Sequence, residues 1–157
     1  MGGSIVVVET DEHKLAGSLP DGKPAEAIIH VIRPHTLVLL KLLAMYDRYQ
    51  NVRGATQAER DREEARTHVG DIVSVMSLQR NLGDFRKVFG AQFDKNLALK
   101  ARIYQIIRDC FSDDGSPGLV LYRESLAVDL PHGESVRELG AELHRAQRLI
   151  SSLIFEW

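Results

Sequence analysis

A single cysteine in 157 residues, Cys110, excludes an internal disulfide framework and a zinc site built on paired cysteines. Neither sign of charge is in excess: 20 Lys and Arg stand against 22 Asp and Glu, for a formal net charge of -2. No overall field therefore recommends the chain to nucleic acid or to an anionic membrane. Long apolar runs are missing too. The longest, Leu37 to Met45, is interrupted by Lys41 and has about half the length a bilayer span needs. The apolar run near the start ends at Val8 with no basic residue before it, which is short for a signal peptide. Val6 stands where a myristoylation signal would want Ser or Thr. With the lone cysteine, these features lead us to expect a cytoplasmic protein. Motif signatures are also lacking. There is no Gly-x-x-x-x-Gly-Lys-Ser/Thr loop, no Gly-x-Gly-x-x-Gly after a strand, no His-Glu-x-x-His and no Gly-x-Ser-x-Gly elbow. Phosphate loops of those kinds, zinc hydrolases and acyl-transfer hydrolases are accordingly disfavoured.

What is present is an ordinary globular composition, 44% hydrophobic and 27% charged. A chain of this length buries roughly 70% of its unfolded surface and needs no disulfide or structural metal. We expect an α+β, mostly helical fold, with a small N-terminal β element packed on a multi-helix domain. The whole chain reads as a single domain: residues 1–33 as the β element, 34–80 as a core helix pair and 81–157 as a C-terminal helical part.

Ile5 to Glu9 and Ala27 to Ile32 have β-favouring composition and read as two strands, with a loop of turn-setting residues at 17–24 between them. Two strands are marginal alone and need helices or further strands beside them. Pro34 opens a helix to about residue 50, whose leucines point in nearly every direction, the pattern of a helix buried on most sides. Thr56-Gln57-Ala58-Glu59 reads as a capping box starting a helix to about Arg80, with Ala65, Val69, Ile72, Val73 and Met76 on one face. A short helix near 82–89 follows, then one over about 96–111 burying Leu99, Ile103, Ile106, Ile107, Cys110 and Phe111. Leu119 to Leu126 fits helix or strand, with helix favoured. Ser135 to Glu138 reads as a second capping box, and the last helix carries Val136, Leu139, Leu143, Ala146, Ile150 and Leu153 at spacings of three and four. That stripe packs on the chain's own core or on a partner helix.

The candidate chemistry lies between residues 33 and 73. Lys41 interrupts an apolar helix, where an ammonium needs water, a carboxylate or an anionic ligand. Arg48, seven residues on, lies on nearly the same face. The two together suit phosphate oxygens. Alternatively, Lys41 snorkels over the core or pairs with a carboxylate of the next helix. On that helix Asp61, Glu64, His68 and Asp71 are spaced by three, four and three residues, forming one polar stripe. They could hold a divalent cation, pair with Lys41 and Arg48, or form a solvated face. Solvation suits Asp61 and Glu64 best, while His68 and Asp71 lie closer to the apolar stripe. The pair Arg62 and His68 also fits a loose Arg-x(4 to 6)-His spacing of small helical ribonucleases.

Taken together, Arg33-Pro34-His35-Thr36-Leu37-Val38-Leu39-Leu40-Lys41-Leu42-Leu43-Ala44-Met45-Tyr46-Asp47-Arg48 and His68-Val69-Gly70-Asp71-Ile72 resemble the downstream half of nucleotidyltransferase-fold proteins of the abortive-infection and antitoxin-associated type. The resemblance covers about residues 4 to 76. It implies NTP binding with Mg2+, in which Lys41 holds phosphate, Arg48 lies beside it, and Asp71 and His68 support the nucleotide site. It also implies that Glu9 is a metal-side carboxylate. Gly2-Gly3-Ser4 imitates the family's turn, but no Asp-x-Asp follows at the family's spacing. A truncated or catalytically impaired nucleotidyltransferase-like protein is therefore implied. The alternative expectation is a helical protein-interaction or antitoxin-like module that forms a homodimer through its C-terminal helix.

Overall fold

The structure, a computed structural model, describes residues 9–50, 55–129 and 136–154. The chain enters it through a hairpin whose geometry is set by its turn. In Leu19-Pro20-Asp21-Gly22-Lys23, proline supplies the φ wanted at the second position of a turn. Gly22 takes the left-handed φ of 82° that closes a three-residue loop. The Gly22 N–H donates to the Leu19 carbonyl at 2.9 Å and the Leu19 N–H to the Lys23 carbonyl at 2.8 Å. This turn pins β1 (Thr10–Ser18) antiparallel to β2 (Pro24–Ile32), from Ser18 opposite Pro24 to Thr10 opposite Ile32.

Two sequence expectations are corrected here. Among the described residues the first strand is Thr10–Ser18, in a stretch where no strand was expected; of the expected strand at 5–9, Glu9 lies outside any strand and Ile5 to Val8 lie outside the described residues. The strand contains Asp, Glu, Lys, Ala and Gly, which strands disfavour; the turn recruits it by fixing the register. The β element is also not covered by the helices. Every residue of β1 is exposed, and in β2 only Ala25 and Ile32 are partly buried.

Six helices follow among the described residues, and the fold is α+β and mostly helical. Pro34 begins α1 (Pro34–Gln50) at the one position where a missing N–H costs nothing, and none of residues 35–46 is exposed. The second helix, α2 (Ala55–Ser77), starts one residue before the expected cap Thr56. Asn81 caps α3 (Leu82–Ala91), its side-chain oxygen accepting from the Gly83 and Asp84 N–H groups at 3.0 and 3.2 Å. Asn96 does the same for α4 (Leu97–Phe111) at Leu99, 3.0 Å. The ambiguous stretch after it is helical, within α5 (Pro117–Asp129). The last helix is α6 (Val136–Ser151); Ser135 of the expected capping box lies outside the described residues.

The core sits around α2, which packs on α1, α5 and α6, while α4 closes the bundle against α1, α5 and α6. All five apolar residues expected on α2 and all six expected on α4 are buried in it. Phe85 and Phe89 on α3 and Phe93 in the turn after it add an aromatic row, with the Phe89 and Phe93 rings edge to face at 5.2 Å. Leu143, Ala146, Ile150 and Leu153 are buried in the same core and Leu139 is partly buried against it, while the side chain of Val136 lies outside the described residues, so the described part of the C-terminal stripe packs on the chain's own helices. Among the described residues no helix is long and apolar enough to cross a membrane.

Candidate functional site

Helices α1 and α2 run antiparallel, so two polar steps seven residues apart on one helix meet two such steps on the other. In the first, Lys41 Nζ lies 2.7 Å from Asp71 Oδ2 and 3.4 Å from His68 Nδ1. In the second, Arg48 reaches Asp61 Oδ1 through Nη1 at 3.2 Å and Glu64 Oε2 through Nε at 2.9 Å. Arg60 adds an outer contact to Glu64 at 3.1 Å. The structure thus joins Lys41, His68 and Asp71, with Arg48 one step along the same seam. Both cations are already matched by carboxylates, which is the second of the two sequence readings for Lys41.

Asp61 departs from expectation. Its side chain is only 2% exposed, where a solvated face was expected. Its Oδ1 also accepts from Gln57 Nε2 at 3.4 Å, and its Oδ2 has no hydrogen-bond partner among the described residues. The signal was in the spacing: Asp61 stands four residues before Ala65 and eight before Val69, in line with the apolar stripe and not beside it.

Glu9 lies elsewhere. Its carboxylate, at the base of the hairpin, contacts Arg33 Nη1 and His35 Nε2, each at 3.2 Å. Among the described residues no group of three His, Cys, Asp or Glu is placed to hold a metal ion. The Arg62 and His68 pair is also separated in role, since Arg62 is bound by the Glu124 carboxylate, Nε to Oε2 at 2.9 Å. An open cleft of about 380 Å³ runs along α2 and α5, and of the expected nucleotide residues only Asp71 lines it.

Burial, and then the neighbouring Lys41 ammonium, push the His68 imidazole below its ordinary pKa of 6.5, against the opposing pull of Asp71. The fold therefore prefers the neutral ring. The corresponding stability is present above the unfolded value of 6.5 and is lost as pH falls through the lowered folded value. Urea unfolding at about pH 7.5 and about pH 5 should show a smaller loss for His68→Gln than for the parent. Equal losses in both would mean that His68 protonates freely in the fold.

The hairpin supplies a second candidate surface, one that sequence reasoning did not single out. Directly opposed residues share a face, so Leu15, Ala25, Ala27, Ile29 and Val31 lie together, with Leu15 52%, Ile29 39% and Val31 45% exposed, and His13 and Asp11 stand on the same face opposite Ile29 and Val31. The opposite face is polar, with the Lys14–Glu26 ion pair at 2.7 Å, Glu12 and His30, around an Ile28 that is 60% exposed. The segment from Glu9 to Arg33 holds five carboxylates and three Lys or Arg, which suits neither DNA nor RNA phosphates.

Protein-family models, curated proteins and solved structures yielded no match to this chain.

Proposed function

We propose that this chain is a cytoplasmic protein-interaction module: a helical body that carries a β-hairpin arm through which two copies associate. The observation that carries this reading is the exposure of the arm. A two-stranded hairpin is marginal in water unless strands or helices are added to it. This one holds three large apolar side chains about half exposed on one face, and burying the exposed part of each stabilises by roughly 1 kcal/mol. In the C-terminal helix, the other expected seat of self-association, Leu143, Ala146, Ile150 and Leu153 are already buried in the protomer, which favours the arm. Net negative charge on the arm turns the reading from nucleic acid toward protein.

The test is sedimentation equilibrium of the full chain and of an Ile29→Asp/Val31→Asp variant. The parent is expected to form a dimer whose dissociation constant rises about 100-fold or more in the variant. The helical melt should stay unchanged, because both side chains are exposed in the protomer. A parent that remains monomeric at every concentration overturns the proposal.

A second reading keeps the nucleotide site implied by the resemblance. It is favoured by the meeting of Lys41, His68 and Asp71, with Arg48 one step away, and it requires Lys41 to exchange Asp71 for phosphate. Calorimetric titration of the parent and of Lys41→Ala with each NTP and Mg2+ decides it. Saturable binding lost in the variant supports the reading, and no binding by the parent removes it.

A further inference from the structure

The hairpin's own hydrogen bonds determine which backbone groups are free to pair outward. Arg33 N–H donates to the Glu9 carbonyl at 3.0 Å and Leu19 N–H to the Lys23 carbonyl at 2.8 Å, at the two ends of one continuous register. In an antiparallel ladder bonded and non-bonded pairs alternate. The odd-numbered residues of β2 therefore turn their backbone groups toward β1, and Pro24, Glu26, Ile28, His30 and Ile32 turn theirs to the open edge. Pro24 loses no ladder bond by this arrangement, since its nitrogen faces outward. From Ala25 to Ile32 the edge contains no proline or lysine, two of the residues with which proteins blunt such an edge, and Glu26 is its one carboxylate.

We infer that two copies of this chain join through these β2 edges, antiparallel and with Ile28 on the two-fold axis, into a four-stranded sheet ordered β1-β2-β2-β1. This rests on the self-association reading above and names its geometry. Ile28 is the midpoint of the nine-residue strand, so this register uses all of β2. Every outward N–H from Glu26 to Ile32 then meets a carbonyl, and Pro24, which has no N–H to offer, needs only to accept from the partner's Ile32. On the face shared with Leu15, Ala27 lies opposite the partner's Ile29, and Ala25 opposite the partner's Val31, small against large. On the polar face Glu26 lies opposite the partner's His30, twice by symmetry, and Ile28 meets the partner's Ile28.

The competing arrangements are poorer. Moving the axis to Ala27 or Ile29 sets Glu26 against an isoleucine and shortens the overlap. Pairing β1 edges over their full length centres on Lys14 and opposes it to the partner's Lys14, a like-charge contact that destabilises a sheet.

Cysteine cross-linking of the full chain tests the register. Opposed residues of a hydrogen-bonded pair lie about 5.5 Å apart at Cα, within the reach of a disulfide. Positions 29 and 29, displaced by two residues, would lie about 8 Å apart, beyond that reach. The native Cys110 is buried and its thiol is pushed up to about 12 by burial, so it does not compete. Under mild oxidation Ile28→Cys should form a covalent dimer at least about tenfold more than Ile29→Cys. A dimer in which Ile28→Cys fails to cross-link, or in which both variants cross-link alike, overturns this register and leaves self-association standing. A chain monomeric at every concentration overturns both.

Discussion

Replacing Arg48 by alanine should lower the unfolding free energy by about 3 kcal/mol, near the low end of what breaking a buried ion pair costs. The effect comes from what is left behind. Asp61 is 2% exposed and keeps only the 3.4 Å contact from Gln57, while its other oxygen has no hydrogen-bond partner among the described residues. Arg48 itself is 31% exposed, and solvent near it holds the effect below the upper limit. In a domain of this size the change corresponds to a fall in Tm of roughly 6–12 °C. Lys41→Ala should cost less than about 1 kcal/mol, because Asp71 is 42% exposed and water replaces the lost ammonium. Exchanging both members of the inner pair, as Arg48→Met with Asp61→Leu, should recover most of the loss, since it removes the buried charge together with its partner. Urea unfolding of the single and double variants measures the coupling directly. An Arg48→Ala variant no weaker than Lys41→Ala would mean that Asp61 does not depend on Arg48.

The helical part of the fold was legible because its apolar residues recur at the helical period and each helix spends that face in one place. The six buried residues of α4 and the α2 stripe follow from spacing alone. β1 was illegible for the opposite reason. Its side chains face solvent on both sides, so burial imposes no alternation on them, and only Leu19-Pro20-Asp21-Gly22-Lys23 determines where the strand lies. The polar seam was half legible. Spacing placed Lys41 and Arg48 on one face and four possible partners on another, but which carboxylate meets which cation depends on the antiparallel approach of α1 and α2. A helix taken by itself carries no sign of that direction. The depth of Asp61 follows from the same packing: a carboxylate in line with Ala65 and Val69 is drawn inward with them, and Arg48 meets it there.

Gly118→Ala should destabilise the protein by about 2 kcal/mol or more, although helix propensity alone predicts a gain of up to about 1 kcal/mol. The residue lies in the first turn of α5, where the chain returns against the end of α4. A Cβ built there would stand 2.5 Å from Phe111 Cε1 and 2.6 Å from the Cys110 carbonyl oxygen. Neither neighbour has room to retreat: the Phe111 ring is fully buried, and the carbonyl belongs to the helix backbone. Accommodating one methyl group therefore means shifting α5 away from α4, which loosens packing across both helices. Gly70, Gly90 and Gly140 provide the control, since a Cβ at any of them would meet nothing within 4 Å. Alanine at each should stabilise by about 0.5–1 kcal/mol, the helix-propensity term acting alone. The same chemical change should thus reverse sign with position. Thermal and urea unfolding of the four variants measures it, and a Gly118→Ala variant as stable as Gly140→Ala would show that α5 does not approach α4 as closely as these distances require.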